Sequence, residues 1–452
     1  MSSINKWKPV LFVAVLAAVL IAVMLMLSPA MALSHDGSGL DPDTEFYVPK
    51  VNQGATRQIA RLTSLGRRPD ARLIRKMTQT PQAVWFTEGT PKRVQQAVKN
   101  TVQRAAGKGQ LPVLVAYNIP FRDCAQFSAG GATTVAEYKA WIDGFAKGIG
   151  NRPAVVILEP DGLGIIPWYD PLGSADGSSA LEWCQPAEAD PATATAERFE
   201  MLNYAVDALK SRPNVRVYLD GTHSGWLNVG DASHRLAQAG VERADGFYLN
   251  VSNYHYTANL VHYGHWVSSC IAYATAVAPG DFNSCPNQYW NGGPLPAKIA
   301  VLLGEWAGVA LSSYGEWSDE SDDPTLNTSG LNLRYANMLG AVESVAHFVI
   351  DTSRNGTGPW QPPAGVYPDA QDWCNPPDRG LGLRPTADTG SELVDAYLWV
   401  KIPGESDGEC TRGLGPAGST VDPVWGLVAP PAGHWFPEMA LDLVRNANPP
   451  LN

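Results

Sequence analysis

Short apolar runs alternating with helical stretches predict an α/β fold on a parallel sheet, and about eight such runs point to a TIM-like β/α barrel in one domain. Three observations carry this. Residues 83–86, 113–117, 154–158, 215–219, 246–251, 299–303, 347–350 and 393–400 are apolar without strict alternation, as suits strands buried on both faces. Between them, 91–106, 135–149, 196–209, 232–239 and 331–345 place apolar residues at helical spacing, and 437–446 reads as a last helix. No G-x-G-x-x-G follows the first strands, which leaves a doubly wound open sheet as the runner-up.

The chain is long enough for a barrel: 452 residues, 45% hydrophobic and only 17% charged. At its start, Lys6 and Lys8 precede an apolar run over 10–27 that closes on Ser28-Pro29-Ala30-Met31-Ala32. A basic flank, an apolar stretch and a small-x-small ending make residues 1–32 a secretory signal peptide cleaved after Ala32. The run is also long enough to cross a bilayer, so an uncleaved membrane anchor is the rival reading. Residues 33–44 form a short flexible lead-in and 45–452 the single domain. Export makes disulfides chemically reasonable, and the six cysteines are even in number with no C-x-x-C pair. Cys270 and Cys285 are close enough in sequence to staple a local loop; spacing leaves the other pairings open.

Composition excludes several classes. The formal net charge is −11, and no Lys/Arg block interleaves with aromatics, so nucleic acid is not an expected partner. There is no G-x-S-x-G elbow, H-E-x-x-H helix or P-loop. Residues 312–330 hold an acidic run that lacks EF-hand spacing and reads as a solvated loop. The 15 Trp serve mostly as core, but flat aromatics also stack on the C–H faces of sugar rings.

The chemistry lies just beyond the C-terminal ends of the apolar runs. Tyr117 ends one, and Arg122-Asp123-Cys124 comes shortly after; 154–158 leads into Glu159-Pro160-Asp161; 215–219 leads into Asp220-Gly221-Thr222-His223. The run at 347–350 leads into Asp351, and 393–400 into Lys401, Glu405 and Asp407. C-terminal strand ends converge on one face of a parallel barrel, so five strands bring carboxylates to one mouth. A single such acid is usually a cap or turn residue; five together are not. Acid clusters without excess His or Cys suit oxygen-ligand metal binding or glycoside hydrolysis, in which one carboxyl protonates the leaving oxygen while another assists water. Crowding keeps one acid protonated and its partner ionised. Trp85, Trp226 and Trp373 beside the same strand ends favour sugars over metal.

With these residues in place, the sequence resembles glycoside hydrolase family 6, inverting endoglucanases and cellobiohydrolases. The motifs are Tyr117-Asn-Ile-Pro-Phe-Arg-Asp123-Cys124, Ile157-Leu-Glu-Pro-Asp161, Tyr218-Leu-Asp220-Gly-Thr-His223-Ser-Gly-Trp226, Asp351-Thr-Ser-Arg-Asn-Gly356, Trp373-Cys-Asn-Pro-Pro377 and Leu398-Trp-Val-Lys401-Ile-Pro-Gly-Glu405-Ser-Asp407-Gly. The resemblance implies a distorted barrel with fewer than eight strands. It implies Asp161 as general acid, Asp123 as the aspartate that tunes it, Asp407 as candidate base acting directly or through water, and Tyr117 against the distorted sugar. It groups Asp220, His223, Lys401, Glu405 and the stacking residues Trp85, Trp226 and Trp373 as substrate-binding. It pairs Cys124 with Cys184 and Cys374 with Cys410, which leaves Cys270 with Cys285. For Asp351 it offers only the motif, with a structural role and a substrate contact both open.

The implied activity is secreted endo-1,4-β-glucanase, with a cellobiohydrolase or a non-catalytic carbohydrate-binding protein as alternatives. No cofactor or metal is implied, and a monomer with β-1,4-glucan as its partner is expected. Departures from the resemblance are Phe121, Asp-Gly-Thr-His at 220–223, and an insertion over residues 254–332 that includes Glu305. Two features favour an open cleft: the interval from Cys374 to Cys410 is short for a tunnel roof, and Val229 stands where exo-acting members carry a further tryptophan.

Overall fold

The computed structural model describes residues 39–172, 183–294, 308–415 and 420–451. Seven strands form one all-parallel sheet in chain order: β1 (Val84–Phe86), β2 (Val113–Ala116), β3 (Ala154–Leu158), β4 (Val215–Asp220), β5 (Gly246–Leu249), β6 (His347–Asp351) and β7 (Val394–Leu398). All seven were legible as apolar runs. The eighth run, 299–303, the insertion's Glu305 and the leader at 1–32 lie outside the described residues. Among those described, no helix is long and apolar enough to cross a membrane.

Both faces of the sheet are buried. Val113, Val115, Ile157, Tyr218, Tyr248 and Leu398 point into an inner cluster. Their neighbours Leu114, Ala116, Val156, Leu219, Phe247 and Ile350 pack outward against the helices. This two-sided burial is why the strands show no polar alternation.

Nine α-helices are found among the described residues: α1 (Gln53–Ser64), α2 (Arg68–Thr78), α3 (Pro91–Ala106), α4 (Val135–Ile149), α5 (Ala194–Lys210), α6 (Val229–Gln238), α7 (Thr257–Ala272), α8 (Ser329–Leu339) and α9 (Pro437–Arg445). Local chemistry sets several starts. Thr90 and Thr134 accept N–H bonds from Arg93 and Glu137, and Asn228 caps α6 through Asp231. Helix α8 stops short of the expected residue 345 because Gly340, at φ 58°, turns the chain out of the helix.

Strands β1 and β7 share no ladder. One backbone bond joins them, from Ala83 N–H to Trp399 C=O at 2.9 Å, aided by the Trp85 indole N–H on Val400 C=O at 2.8 Å. Behind this seam, α1, α2 and α9 enclose a third cluster in which Ala55, Leu62, Ile74, Met77, Phe436 and Leu443 surround Trp399. The sheet is therefore a curled, incompletely closed barrel. The cysteines pair as Cys124–Cys184, Cys270–Cys285 and Cys374–Cys410, as the resemblance implied.

Candidate active site

A cleft of about 680 Å³ opens at the C-terminal ends of the strands. It is lined by Tyr117, Asp123, Asp161, His223, Lys401, Glu405, Asp407, Trp85, Trp226 and Trp373, so every expected site residue except Asp220 reaches it.

The segment after β2 is pinned by Arg122. Its guanidinium donates to the carbonyls of Thr87 at 2.6 Å, Tyr117 at 2.5 Å and Ser128 at 2.9 Å, and lies 4.7 Å from the Tyr117 ring centre. Trp85 meets Tyr117 edge-on at 5.5 Å. Asp123 accepts the Ser128 N–H at 2.5 Å, but burial dominates and pushes its pKa up to about 6. Both Asp123 (φ 57°) and Asp161 (φ 61°) occupy the left-handed region, as does β-branched Thr222 (φ 58°). Such conformations cost about 1–3 kcal/mol each and persist where surrounding structure fixes them.

Asp161 lines the same cleft. Burial raises its pKa well above the ordinary value, the charges of Asp220 and then Asp123 raise it further, and Lys401 opposes them. Asp220 therefore acts from behind the cleft wall. Its carboxylate accepts the backbone N–H groups of Leu163, Gly164 and Thr222 at 3.1, 3.0 and 2.9 Å, which leaves it little capacity for sugar hydroxyls.

Asp407 has the opposite character. Burial would raise its pKa, but Arg354, then Lys401 and the Asn375 N–H, outweigh burial and hold it below the usual range. Arg354 Nη1 lies 2.9 Å from both carboxylate oxygens, Tyr254 donates its hydroxyl at 2.9 Å, Asn375 its N–H at 3.0 Å, and Lys401 Nζ sits at 3.1 Å. One carboxyl of the cleft thus has its pKa raised and the other has it lowered. Such a division of roles suits general acid catalysis beside an anionic partner.

His223 accepts the Gly225 N–H through Nδ1 and stacks on His255, with ring centres 4.1 Å apart. Burial, then the neighbouring His255, lowers its pKa well below the ordinary value, so it faces the cleft as a neutral polar group. Glu405 accepts from the Asn52 amide at 2.7 Å.

Asp351, for which the motif left two roles open, takes up backbone. Its carboxylate accepts from Ser353 at 2.9 Å, Val400 at 3.1 Å, Lys401 at 2.9 Å and Ser252 at 3.3 Å, and it does not line the cleft. It ties the ends of β5, β6 and β7 together.

Sequence reasoning gave no role to Arg354, Tyr254, Asn375 or Glu159. Arg354, Asn375 and Glu159 lie inside quoted motifs, yet nothing in a motif shows that a charged side chain is wholly buried. Glu159 is fully buried; its Oε2 accepts the Asn118 and Ile119 N–H groups at 2.8 and 2.9 Å, while Oε1 has no hydrogen-bond partner among the described residues. It joins the turn bearing Asp161 to the strand end bearing Tyr117. Burial pushes its pKa from 4.5 to about 7. A raised carboxyl pKa means the folded state holds its proton while the unfolded chain loses it, so stability falls as pH rises through that window. Glu159→Gln is expected to flatten the decline, read as the thermal midpoint across that pH range. An unchanged slope removes Glu159 as its cause.

A curled parallel barrel whose mouth sets a carboxyl of raised pKa and a guarded carboxylate among half-buried and exposed indoles has the architecture of a glycoside hydrolase. The chain belongs to the glycosyl hydrolases family 6, which it matches over residues 41–447. It is 31% identical over 407 residues to Endoglucanase A of Cellulomonas fimi, covering 90% of this chain and 62% of that protein. It is 31% identical over 357 residues to a probable 1,4-beta-D-glucan cellobiohydrolase C of Aspergillus terreus, covering 74% of this chain and 59% of that one. The chain thus spans about six-tenths of the length of these two relatives. Among solved structures, the endoglucanase Cel6 of Mycobacterium tuberculosis, in complex with a methyl-cellobiosyl-4-deoxy-4-thio-β-D-cellobioside, aligns with TM-score 0.57 and 30% identity, covering 89% of this chain and 97% of that one.

Proposed function

We propose that the protein is a secreted, inverting endo-1,4-β-glucanase that cuts within cellulose-type chains and acts as a monomer without cofactor. The observation that carries this reading is the presence of Asp161, its pKa raised by burial and by Asp220, and Asp407, its pKa lowered by Arg354 and Lys401, in one cleft lined by Trp85, Trp226 and Trp373. In this mechanism Asp161 gives its proton to the glycosidic oxygen as the bond to the anomeric carbon breaks. Water attacks that carbon from the opposite face, and its proton passes to Asp407 directly or through a second water. Arg354 and Lys401 make Asp407 a weak base, which favours relay through water and electrostatic support of the oxocarbenium-like transition state. Asp123, next to Tyr117 and the acid, tunes the proton on Asp161.

The 36-residue separation of Cys374 and Cys410 and the presence of Val229 support endo action. One contact favours the cellobiohydrolase reading. The insertion brings Ser313 and Tyr314 to the cleft, and the Tyr314 hydroxyl donates to Asp372 at 3.4 Å, linking two loops of its rim. Viscosity of carboxymethylcellulose, tracked beside reducing-sugar release, separates the two. Rapid viscosity loss with few new ends is expected. Steady cellobiose release at nearly constant viscosity decides for exo action, and no release from any β-1,4-glucan overturns both.

A further inference from the structure

We propose that the indole of Trp183 is a sugar-stacking platform of this cleft, a subsite for one pyranose ring of the glucan; the assignment rests on the glucan reading above. Trp183 belongs to none of the motifs that carry the resemblance. It lines the cleft with 52% of its surface exposed, while the next residue, Cys184, is fully buried. No aromatic ring among the described residues stacks on it, unlike Trp85 on Tyr117 or Trp373 beside Phe127.

The exposed side chain stands on a fixed backbone. Cys184 is bonded to Cys124, the residue directly after Asp123, and its carbonyl accepts the Trp168 N–H at 2.9 Å. The Trp168 indole donates to Pro186 C=O at 3.3 Å, and the Thr195 hydroxyl donates to Trp168 C=O at 3.1 Å. The cleft that Trp183 lines also includes the acid's own turn: Ile165, another lining residue, donates its N–H to Asp161 C=O at 2.8 Å. An indole lining a cleft that also carries acids offers what a sugar ring needs, a flat face for C–H groups in a site with polar partners for hydroxyls. Stacking on a platform ordered in advance spares the loop-ordering cost of binding. The Cys124–Cys184 bond thereby sets two things at once, the loop of the tuning aspartate and the position of the stacking ring.

The test is calorimetric titration of cellohexaose into Asp161→Asn protein, with Trp183 intact and with Trp183→Ala or Trp183→Phe added. The alanine variant is expected to weaken Kd by about 2- to 10-fold, the range of an aromatic contact. The phenylalanine variant should recover most of that loss, with thermal midpoints alike in all three. An unchanged Kd in Trp183→Ala overturns the platform, as does equal weakening by alanine and phenylalanine, because the flat face is then not the cause. If the protein with Trp183 intact takes up no cellohexaose, the glucan reading itself fails, a result distinct from either of those.

Discussion

Asp161→Asn is expected to lower turnover on unactivated β-1,4-glucan by ~100-fold or more, the usual scale of general acid catalysis, with the thermal midpoint nearly unchanged. Asparagine keeps the shape and cannot give a proton to the leaving oxygen. The loss should shrink on aryl glycosides whose leaving group departs without protonation. The direction of the shift also sets the pH dependence. The catalytically competent form is the protonated one, so activity is lost as pH rises through the raised pKa of Asp161. Asp220→Asn removes the larger of two like charges acting on the acid, lowers its pKa, and should move the alkaline limb of the rate profile toward acid. Near-wild-type rates for Asp161→Asn on cellulose would sink the assignment; an unmoved alkaline limb in Asp220→Asn would show that Asp220 does not act on the acid.

Arg354→Leu is expected to cost about 3–5 kcal/mol of folding stability, the scale of breaking a buried ion pair from one side. The Arg354 side chain is inaccessible and that of Asp407 nearly so. The guanidinium also lies 4.2 Å from the Tyr254 ring centre and donates to Ser252 C=O. Leucine removes all three contacts and leaves Lys401 as the cationic partner of the carboxylate. The lowered pKa of Asp407 fixes the sign with pH. Its ionised form stabilises the native state above the unfolded carboxyl pKa, and that contribution is lost as pH falls through the lower folded value. The deficit in Arg354→Leu should therefore be largest near neutrality and narrow in acid. Urea denaturation at both pH values measures it, and equal midpoints for variant and parent at neutrality would refute the pairing's role in stability.

Much of this was legible because a parallel sheet writes itself plainly. Runs such as 154–158 are apolar on every residue, and the acids just beyond them can only meet at one mouth. The parts that were not legible share a cause: they depend on direction rather than position. Asp220 closes β4 in register with the other acids, yet its carboxylate turns back onto the Leu163–Gly164 amides. Asp351 does the same toward Val400 and Lys401. Helix α7 went unseen because Leu260, Tyr263, Trp266, Ser268 and Cys270 are buried on several sides, so no polar face marks a period. Its Gly264 lets the Phe348 ring approach, where a Cβ would stand 2.4 Å from that ring. Helices α1 and α2 failed for the reverse reason: they are mostly polar, and their apolar stripe is answered by α9, hundreds of residues away.

That last pairing bears on how the molecule comes into being. The seam between β1 and β7 is packed by segments from the two ends of the domain, so the earliest helices made have no core to join until Phe436, Met439 and Leu443 have been synthesised. At ~5–20 residues per second, Ala55, Leu62, Ile74 and Met77 wait tens of seconds for their partners. Contacts of such sequence separation make folding slow and reward it only at the end. Completion of the chain is thus a condition of closing the barrel, and fragments lacking the last helix carry an unpaired apolar stripe that invites aggregation.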